Sequence, residues 1–275
     1  MGRAPSARLL RAIEAMGIRT TQAHWNLVPP ELAKRLKPRT AHVADAFLTA
    51  LPGSDALRMN RVIGLGHLGK ASEAVVDEII RRYQDARVKR FSVLLGPGPQ
   101  VDDVAGWLSS RGFAKKPGLM LLVREGRKSA PREKAPLKVQ RATAVDLETI
   151  LAIHAQCFGM PPSRRSWNMA AAASRHQEHY LAFAGSKAIG VGTLQIHGDL
   201  AWLGGGGTLR RWRRHGAHRA LILARLRRAA SRGCRWVWVE TAAPVRGRPD
   251  GSRRNLLRAG FEQVFAKPLF VWERG

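Results

Sequence analysis

The sequence predicts a mixed α/β fold, an α+β arrangement on a mixed sheet, laid down twice in tandem. Its 275 residues and 45% hydrophobic share suit two domains of roughly 130 residues, each able to bury a core. Both halves also run through strand-like and helix-like segments in the same order. Between them the stretch REGRKSAPREKAPLK, ending at Lys138, is polar, charged and interrupted by two prolines, so it buries no face and reads as a linker. The cut falls near residue 131 and gives domains 1–130 and 131–275. The first carries 22 basic and 11 acidic residues, the second 25 and 9.

Each element has a local reason. In the first half, Met59–Gly64 is a short apolar run that ends on glycines, as a buried strand does, and Ser72–Arg87 follows as an amphipathic helix. Phe91–Leu95 is the next strand, Val101–Arg111 the next helix, Gly112-Phe113 its stop, and Leu119–Val123 the closing strand. The second half repeats that order with Ala201–Gly204, Ala217–Ser231, Trp236–Val239, Arg253–Arg258, Gly260-Phe261 and Leu269–Trp272. The strings WLSSRGF (Trp107–Phe113) and NLLRAGF (Asn255–Phe261) occupy matching places. An internal duplication accounts for all of these with one unit.

Composition removes several function classes. No apolar run approaches the roughly 18–20 residues that cross a bilayer, and Met1–Thr20 is punctuated by arginines without the apolar stretch of a secretory leader. A cytoplasmic chain with no membrane association is expected. Cys157 and Cys234 lie 77 positions apart with no CxxC pair, so neither a disulfide scaffold nor a metal site is called for. Gly64, Gly66 and Gly69 spell GxGxxG between a strand and a helix, yet the next strand ends Leu94-Leu95-Gly96-Pro97 with no acid for a ribose, which argues against a nicotinamide site.

Charge points the other way. The formal net charge is +27, and 36 of the 47 basic residues are arginine, a balance that favours phosphate-bearing partners or reflects a broad compositional bias. Locally it is sharper: between Asp199 and Glu240 there is no acid, and ten arginines fall there. That span reads as a strand (Trp202-Leu203), a glycine-rich turn (Gly204–Gly207), then Arg213-Arg214-His215-Gly216-Ala217-His218-Arg219 opening a helix. A helix opening presents three or four unpaired N–H groups and the positive end of its dipole, which suits a phosphate. Gly216 lets the backbone approach an anion without a Cβ in the way. Along the helix, Ile222, Leu226 and Ala229 form a core face, and Arg225, Arg228 and Arg232 a solvated one.

The pattern TLRRWRRHGAHRALILARLRRAASRGCRWVWVET, followed by NLLRAGF, resembles the GCN5-related N-acetyltransferases (GNAT), whose acetyl-CoA loop reads R/Q-x-x-G-x-G/A. Arg213, Gly216 and His218 fall on the three marked positions. The resemblance covers residues 138–275 and leaves 40–125 as a degenerate second copy, so it implies two tandem acyl-CoA N-acyltransferase-like domains. It further implies a splayed pair of strands, Ala201–Leu209 and Arg235–Glu240, with the pantetheine arm of acetyl-CoA between them. Gly207, Thr208 and Leu209 would pair with that arm, and the amides from Arg214 to Arg219, among them His215, Ala217 and His218, would carry the pyrophosphate. No metal takes part in the implied reaction, a direct attack of a substrate amine on the thioester.

The chain departs from the family's pattern twice. His218 stands where the loop has a small residue, and Leu256 stands where a tyrosine supplies the thiolate's acid. Glu240, the only acid near the implied arm, is the candidate base, and Asn255, beside the missing tyrosine, the candidate for orienting a water or the arm. The implied partner is a small-molecule or peptide amine, its pocket drawn from Cys157 to Tyr180 with Phe158, Met160, Arg164, Arg165 and Trp167. A nucleic-acid-binding protein on a non-catalytic acyltransferase fold is the alternative. The sequence does not name the amine or the oligomeric state.

Overall fold

The computed structural model describes residues 5–127, 137–247 and 250–274, so most of the expected linker lies outside the described residues. The chain forms two compact units, the first from the described residues of 1–120, 242–246 and 264–275, the second from those of 121–241 and 247–263. The carboxy-terminal segment thus belongs to the first unit. No described helix is long and apolar enough to cross a membrane.

In the first unit, α1 (Ala7–Trp25) and α2 (Pro30–Leu36) precede β1 (Arg39–Val43), β2 (Ala46–Ala50), β3 (Arg61–Ile63), α3 (Glu73–Asp85), β4 (Arg90–Leu94) and α4 (Val101–Ser110). Strand β5 (Ala114–Glu125) lends 114–120 to this unit and 121–125 to the second. Serines start two of the helices: Leu9 N–H donates to Ser6 Oγ and Val75 N–H to Ser72 Oγ, both at 3.3 Å. Strands β1 to β4 pair in sequence, antiparallel except for the parallel β3–β4 step. The core centres on Phe91, stacked on Tyr83 at 3.9 Å and met edge-on by Phe113 at 5.5 Å, while Tyr83 Oη–H donates to Thr49 O at 2.9 Å.

The GxGxxG stretch of this unit is filled by the chain itself. Asp45, at the turn before β2, accepts from Gly66 N at 2.9 Å, Leu68 N at 2.8 Å and Lys70 N at 3.5 Å, and His67 Nδ1 lies 3.8 Å from its carboxylate. Gly64, Gly66 and Gly69 all hold φ between 76° and 81°, the conformation that turns successive amides toward one point. A buried carboxylate occupies the nest where an anionic ligand would otherwise sit. A Cβ on Gly64 would meet Ile18 of α1 at 2.6 Å, so that helix covers the loop as well.

In the second unit, β6 (Lys138–Arg141), α5 (Leu147–Phe158), α6 (Arg165–Ala172), β7 (Glu178–Ala184), β8 (Lys187–His197), β9 (Leu200–Thr208), α7 (Ala217–Ser231), β10 (Trp236–Ala242) and α8 (Gly251–Arg258) follow in order, before β11 (Glu262–Glu273). Strands β6 to β9 pair antiparallel and β10 lies parallel to β9, while the C-terminal part of β11 pairs antiparallel with β4 of the first unit's sheet. Alternation along β8 assigns the faces. A Cβ on Gly190 or Gly192 would meet Leu221 or Arg225 of α7, whereas Val191 packs with Ile150 and Ile153 of α5. Helix α7 therefore covers one face and α5 the other.

The duplication read from sequence has a hydrogen-bond signature. Gly112 (φ 79°) and Gly260 (φ 83°) end α4 and α8 in the left-handed region. In each case the following phenylalanine N–H donates five residues back, Phe113 to Leu108 O and Phe261 to Leu256 O, both at 3.1 Å. Replacing Asp45 with alanine strands the three loop amides of the first unit and is expected to cost about 2–3 kcal/mol in urea unfolding. A loss below about 0.5 kcal/mol would show that water serves those amides equally well.

Candidate functional site

The strands β9 and β10 part company. Their registered pairs are Leu200–Trp236, Ala201–Val237 and Trp202–Trp238, yet β9 runs on to Thr208 and β10 to Ala242. Beyond the Trp202–Trp238 pair, among the described residues, the two strands share no ladder. The cause lies on the other edge of β9, where its register against β8 slips between Thr193–Gly204 and Val191–Gly207. Three steps on β9 oppose two on β8, which is a β-bulge, and Gly205 (φ 55°) takes the strained position. The glycines Gly204–Gly207, a turn by composition but part of the strand Ala201–Leu209 that the resemblance implies, form the C-terminal half of a strand.

At Gly204, Gly205 and Gly207 side chains leave no room for a Cβ. A Cβ on Gly205 would meet Thr193 Oγ1 at 2.8 Å and His154 Nε2 at 3.1 Å, and one on Gly207 would meet Cys157 at 2.9 Å and Phe158 at 3.4 Å. On the α7 side, the nearest atoms to a Cβ on Gly206 would be those of His218, at 3.4 Å, and Arg225 Nη2, at 3.8 Å, and Gly206 itself is exposed.

Arg225 corrects the expectation of a solvated face. It is 2% exposed and lies flat against Gly192, where a Cβ would come 2.7 Å from its Cζ. Its Nη1 donates to Thr193 O and Gly204 O, each at 3.0 Å, and its Nε to Leu221 O at 3.0 Å. The guanidinium thus staples the two strands at the bulge. Burial draws its pKa down to about 10, against an upward pull from Tyr180, so it keeps its charge at neutral pH. The neighbouring arginines behave differently: Arg228 holds Glu178 of β7 at 3.0 Å, and Arg232 approaches the same carboxylate at 3.9 Å. Burial pushes Glu178 up, but hydrogen bonds from Arg228 and Tyr180 and the charge of Arg141 outweigh it and hold it below the usual carboxylate range.

On the opposite face, His154 Nε2–H donates to Gly205 O at 3.1 Å. His179 Nε2–H donates to Ala172 O at 3.1 Å and its Nδ1 accepts from Thr193 Oγ1 at 3.0 Å. Burial lowers the pKa of both, and with the added charge of His154 that of His179 falls to about 4. Sequence reasoning passed over both histidines, whose partners lie 51 and 14 positions away.

The loop before α7 matches a phosphate cradle in shape. Arg214 (φ 71°) and Gly216 (φ 84°) both sit in the left-handed region, His215 Nδ1–H donates to Arg213 O at 2.9 Å, and no side chain caps the helix. Helices α1, α3 and α8, by contrast, are capped by Ser6, Ser72 and Asp250. The side chains of Arg213, Arg214 and His215 are exposed, and Leu209 and Ala217 are buried beneath them. Thr208 Oγ1 and Trp212 Nε1 beside this loop are buried without a hydrogen-bond partner. These features fit a pyrophosphate-bearing group on the amides of Ala217, His218 and Arg219, with its arm along the open edge of β9.

The remaining expected residues divide. Glu240 is half-buried on β10, two positions beyond the last ladder pair, and Asn255 on α8 donates its Nδ2–H to His218 Nδ1 at 3.3 Å. Leu256, in the place of the usual phenol, is core. Tyr83 and Tyr180 are engaged elsewhere, the latter donating to Glu178 at 3.1 Å. Of the expected acceptor pocket, Cys157 and Phe158 approach the glycines. Trp167 and Arg164 are buried, and Met160 and Arg165 line a separate cavity of about 170 Å³ with Leu151 and Asn168.

Residues 147–248 match the model of the acetyltransferase (GNAT) family. In fold, the chain is similar to a GCN5-related N-acetyltransferase from Kribbella flavida (18% identity, 89% of this chain and 94% of that one, TM-score 0.61). It is similar also to one from Sphaerobacter thermophilus (16%, 98% and 94%, TM-score 0.62) and to a tandem GNAT protein from the clavulanic acid biosynthesis pathway (14%, 89% and 86%, TM-score 0.59). No curated protein matches it in sequence.

The buried imidazoles set an acid limit. Each is neutral in the fold and titrates near 6.5 when unfolded, so the unfolded chain binds more protons between about pH 6.5 and 4 and stability falls as pH falls through that window. The variant His179→Gln flattens that slope in denaturant titrations; a slope identical to wild type would place the acid sensitivity elsewhere.

Proposed function

We propose that the GNAT-family domain formed by the second unit is an N-acetyltransferase, moving the acetyl group of acetyl-CoA to the amine of a small-molecule or peptide acceptor. The observation that carries this reading is the coincidence, on one strand–helix connection, of an interrupted β9–β10 ladder and an uncapped, acid-free, arginine-flanked helix opening. An extended arm needs free backbone groups along a strand, and a pyrophosphate needs amides at a helix start. The two lie at opposite ends of the same twelve-residue stretch, 205–216.

On this reading the chain's own groups have distinct tasks. The amides of Ala217, His218 and Arg219 bind the pyrophosphate, each charge-assisted bond contributing about 1.5–3 kcal/mol, and Arg213 and Arg214 add attraction from solvent. Gly207, Thr208 and Leu209 present backbone to the arm. Glu240 takes the proton of the attacking amine, directly or through water. Most of the acceleration comes from holding amine and thioester in register. The first unit has no part in donor binding, because Asp45 fills its corresponding loop. Two free thiols, Cys157 and Cys234, accord with a cytoplasmic setting.

Titration calorimetry with acetyl-CoA on the intact chain should give saturable one-to-one binding, and Gly216→Val should abolish it while the far-ultraviolet spectrum is retained. Absence of binding by well-folded wild type contradicts the reading. Salt-sensitive RNA binding without release of CoA thiol, across a panel of amines, would favour the nucleic-acid alternative instead.

A further inference from the structure

A cavity of about 480 Å³ in the first unit opens between the β1–β2 hairpin and the C-terminal half of α3. Arg39 pairs with Ala50 and Ala41 with Leu48 across the hairpin, and strand alternation puts all four on the face turned to α3. Ala41, Leu48, Ala50, Tyr83 and Ala86 make an apolar floor, and the three alanines leave it hollow. Among the described residues no further strand pairs with β1, whereas in the second unit β6 closes the matching edge of β7. The hollow is therefore open, and its volume suits a small molecule, whose sites run from roughly 300 to 1,000 Å³.

Two charges of opposite sign stand on its rim, one from each wall. Arg39 rises from the strand opposite Ala50, and Asp85 is the last residue of α3. Neither side chain makes an ion pair or a hydrogen bond among the described residues, while the third rim charge, Arg82, is taken by Glu78 at 2.7 Å. A carboxylate in the last turn of a helix faces the negative end of the dipole and is unfavourable there until a cation meets it. The chain supplies Asp85 with none. Both groups are exposed, so each can take a counter-charge without the cost of burying an ion.

We propose that this hollow binds a small zwitterion with an apolar body, an apolar amino acid or dipeptide with both ends free, its ammonium group on Asp85 and its carboxylate on Arg39. The floor supplies most of the affinity, because the apolar side chain laid on it leaves water. The rim supplies the selection. Exposed ion pairs are individually weak, but a ligand lacking one charge leaves one rim group unmet, and Arg39 offers a carboxylate the planar fork of donors that fits it. A charged ligand without an apolar body leaves the floor wet. No bond is made or broken at this site. It lies wholly within the first unit, does not rest on the acetyl-CoA reading above, and gives that unit a binding task of its own.

The test is calorimetry of the intact chain with the dipeptide Leu-Leu, with its N-acetyl form, which lacks the ammonium group, and with its C-terminal amide, which lacks the carboxylate. Leu-Leu is expected to bind one-to-one, each capped form about three- to tenfold more weakly, and Gly-Gly, which has both charges and no apolar body, not measurably. Asp85→Asn should erase the discrimination against the N-acetyl form, and Arg39→Met that against the amide. Both positions are exposed, so both variants should keep the wild-type far-ultraviolet spectrum. No saturable binding of Leu-Leu up to about 10 mM by well-folded chain, equal affinity for Leu-Leu and both capped forms, or discrimination unchanged in the two variants overturns the site. Acetyl-CoA binding, measured on the same samples, should be indifferent to both substitutions, so this proposal and the acetyltransferase reading stand or fall separately.

Discussion

The parallel ladder between β9 and β10 stops after three registered pairs, and the chemistry assigned to the second unit depends on that interruption. Unpaired strand edges inside a fold are costly unless something else takes their hydrogen bonds. Here the extra residue of the bulge turns β9 away from β10, and the bulge is held from both faces. Arg225 binds the carbonyls of Thr193 and Gly204 from α7, and His154 binds that of Gly205 from α5. Because these clamps come from helices on opposite sides of the sheet, the opened edge is a property of the folded unit and needs no ligand to create it.

The first unit repeats the architecture without the opening. Its β3–α3 loop has the same left-handed glycines and the same convergence of amides, but an aspartate from the β1–β2 turn satisfies them. Its α1 helix supplies Ile18 over Gly64, and Glu14 of α1 pairs with Lys267 against Gly96. On the proposed reading, one architecture serves in the second unit as a ligand cradle, whereas in the first its loop amides are satisfied by the chain itself. What separates them on that reading is the origin of one anion: the proposed ligand would bring it to the second unit, and Asp45 builds it into the first.

Much of this was legible in the sequence, because strands and helices follow local patterning. The helix Ala217–Ser231 begins and ends where its periodicity and flanking glycines put it, and the matched Gly-Phe stops follow from a conformation that only glycine adopts cheaply. The composition of Gly204–Gly207 misled, since four glycines signal a turn by propensity, whereas here closely packed side chains leave no room for a Cβ at Gly204, Gly205 or Gly207 of a strand. Arg225 misled for a related reason. Helical periodicity groups it with Arg228 and Arg232, and nothing local distinguishes a guanidinium bound for a bulge from one bound for water. The available signal was distant: Gly190 and Gly192 alternate on β8, leaving a slot on one sheet face that a long side chain must fill. Asp45, His154 and His179 were silent because their partners are far away in sequence.

Hydrogen–deuterium exchange of the intact chain, with and without saturating CoA, tests the central claim most directly. Protection should rise in the stretch from the bulge to the first turn of α7, residues 205–219, and stay unchanged in the Gly64–Lys70 loop, whose amides already have a partner. Protection gained in the first unit's loop, with none at 205–219, would mean that the cradle has been assigned to the wrong half of the chain.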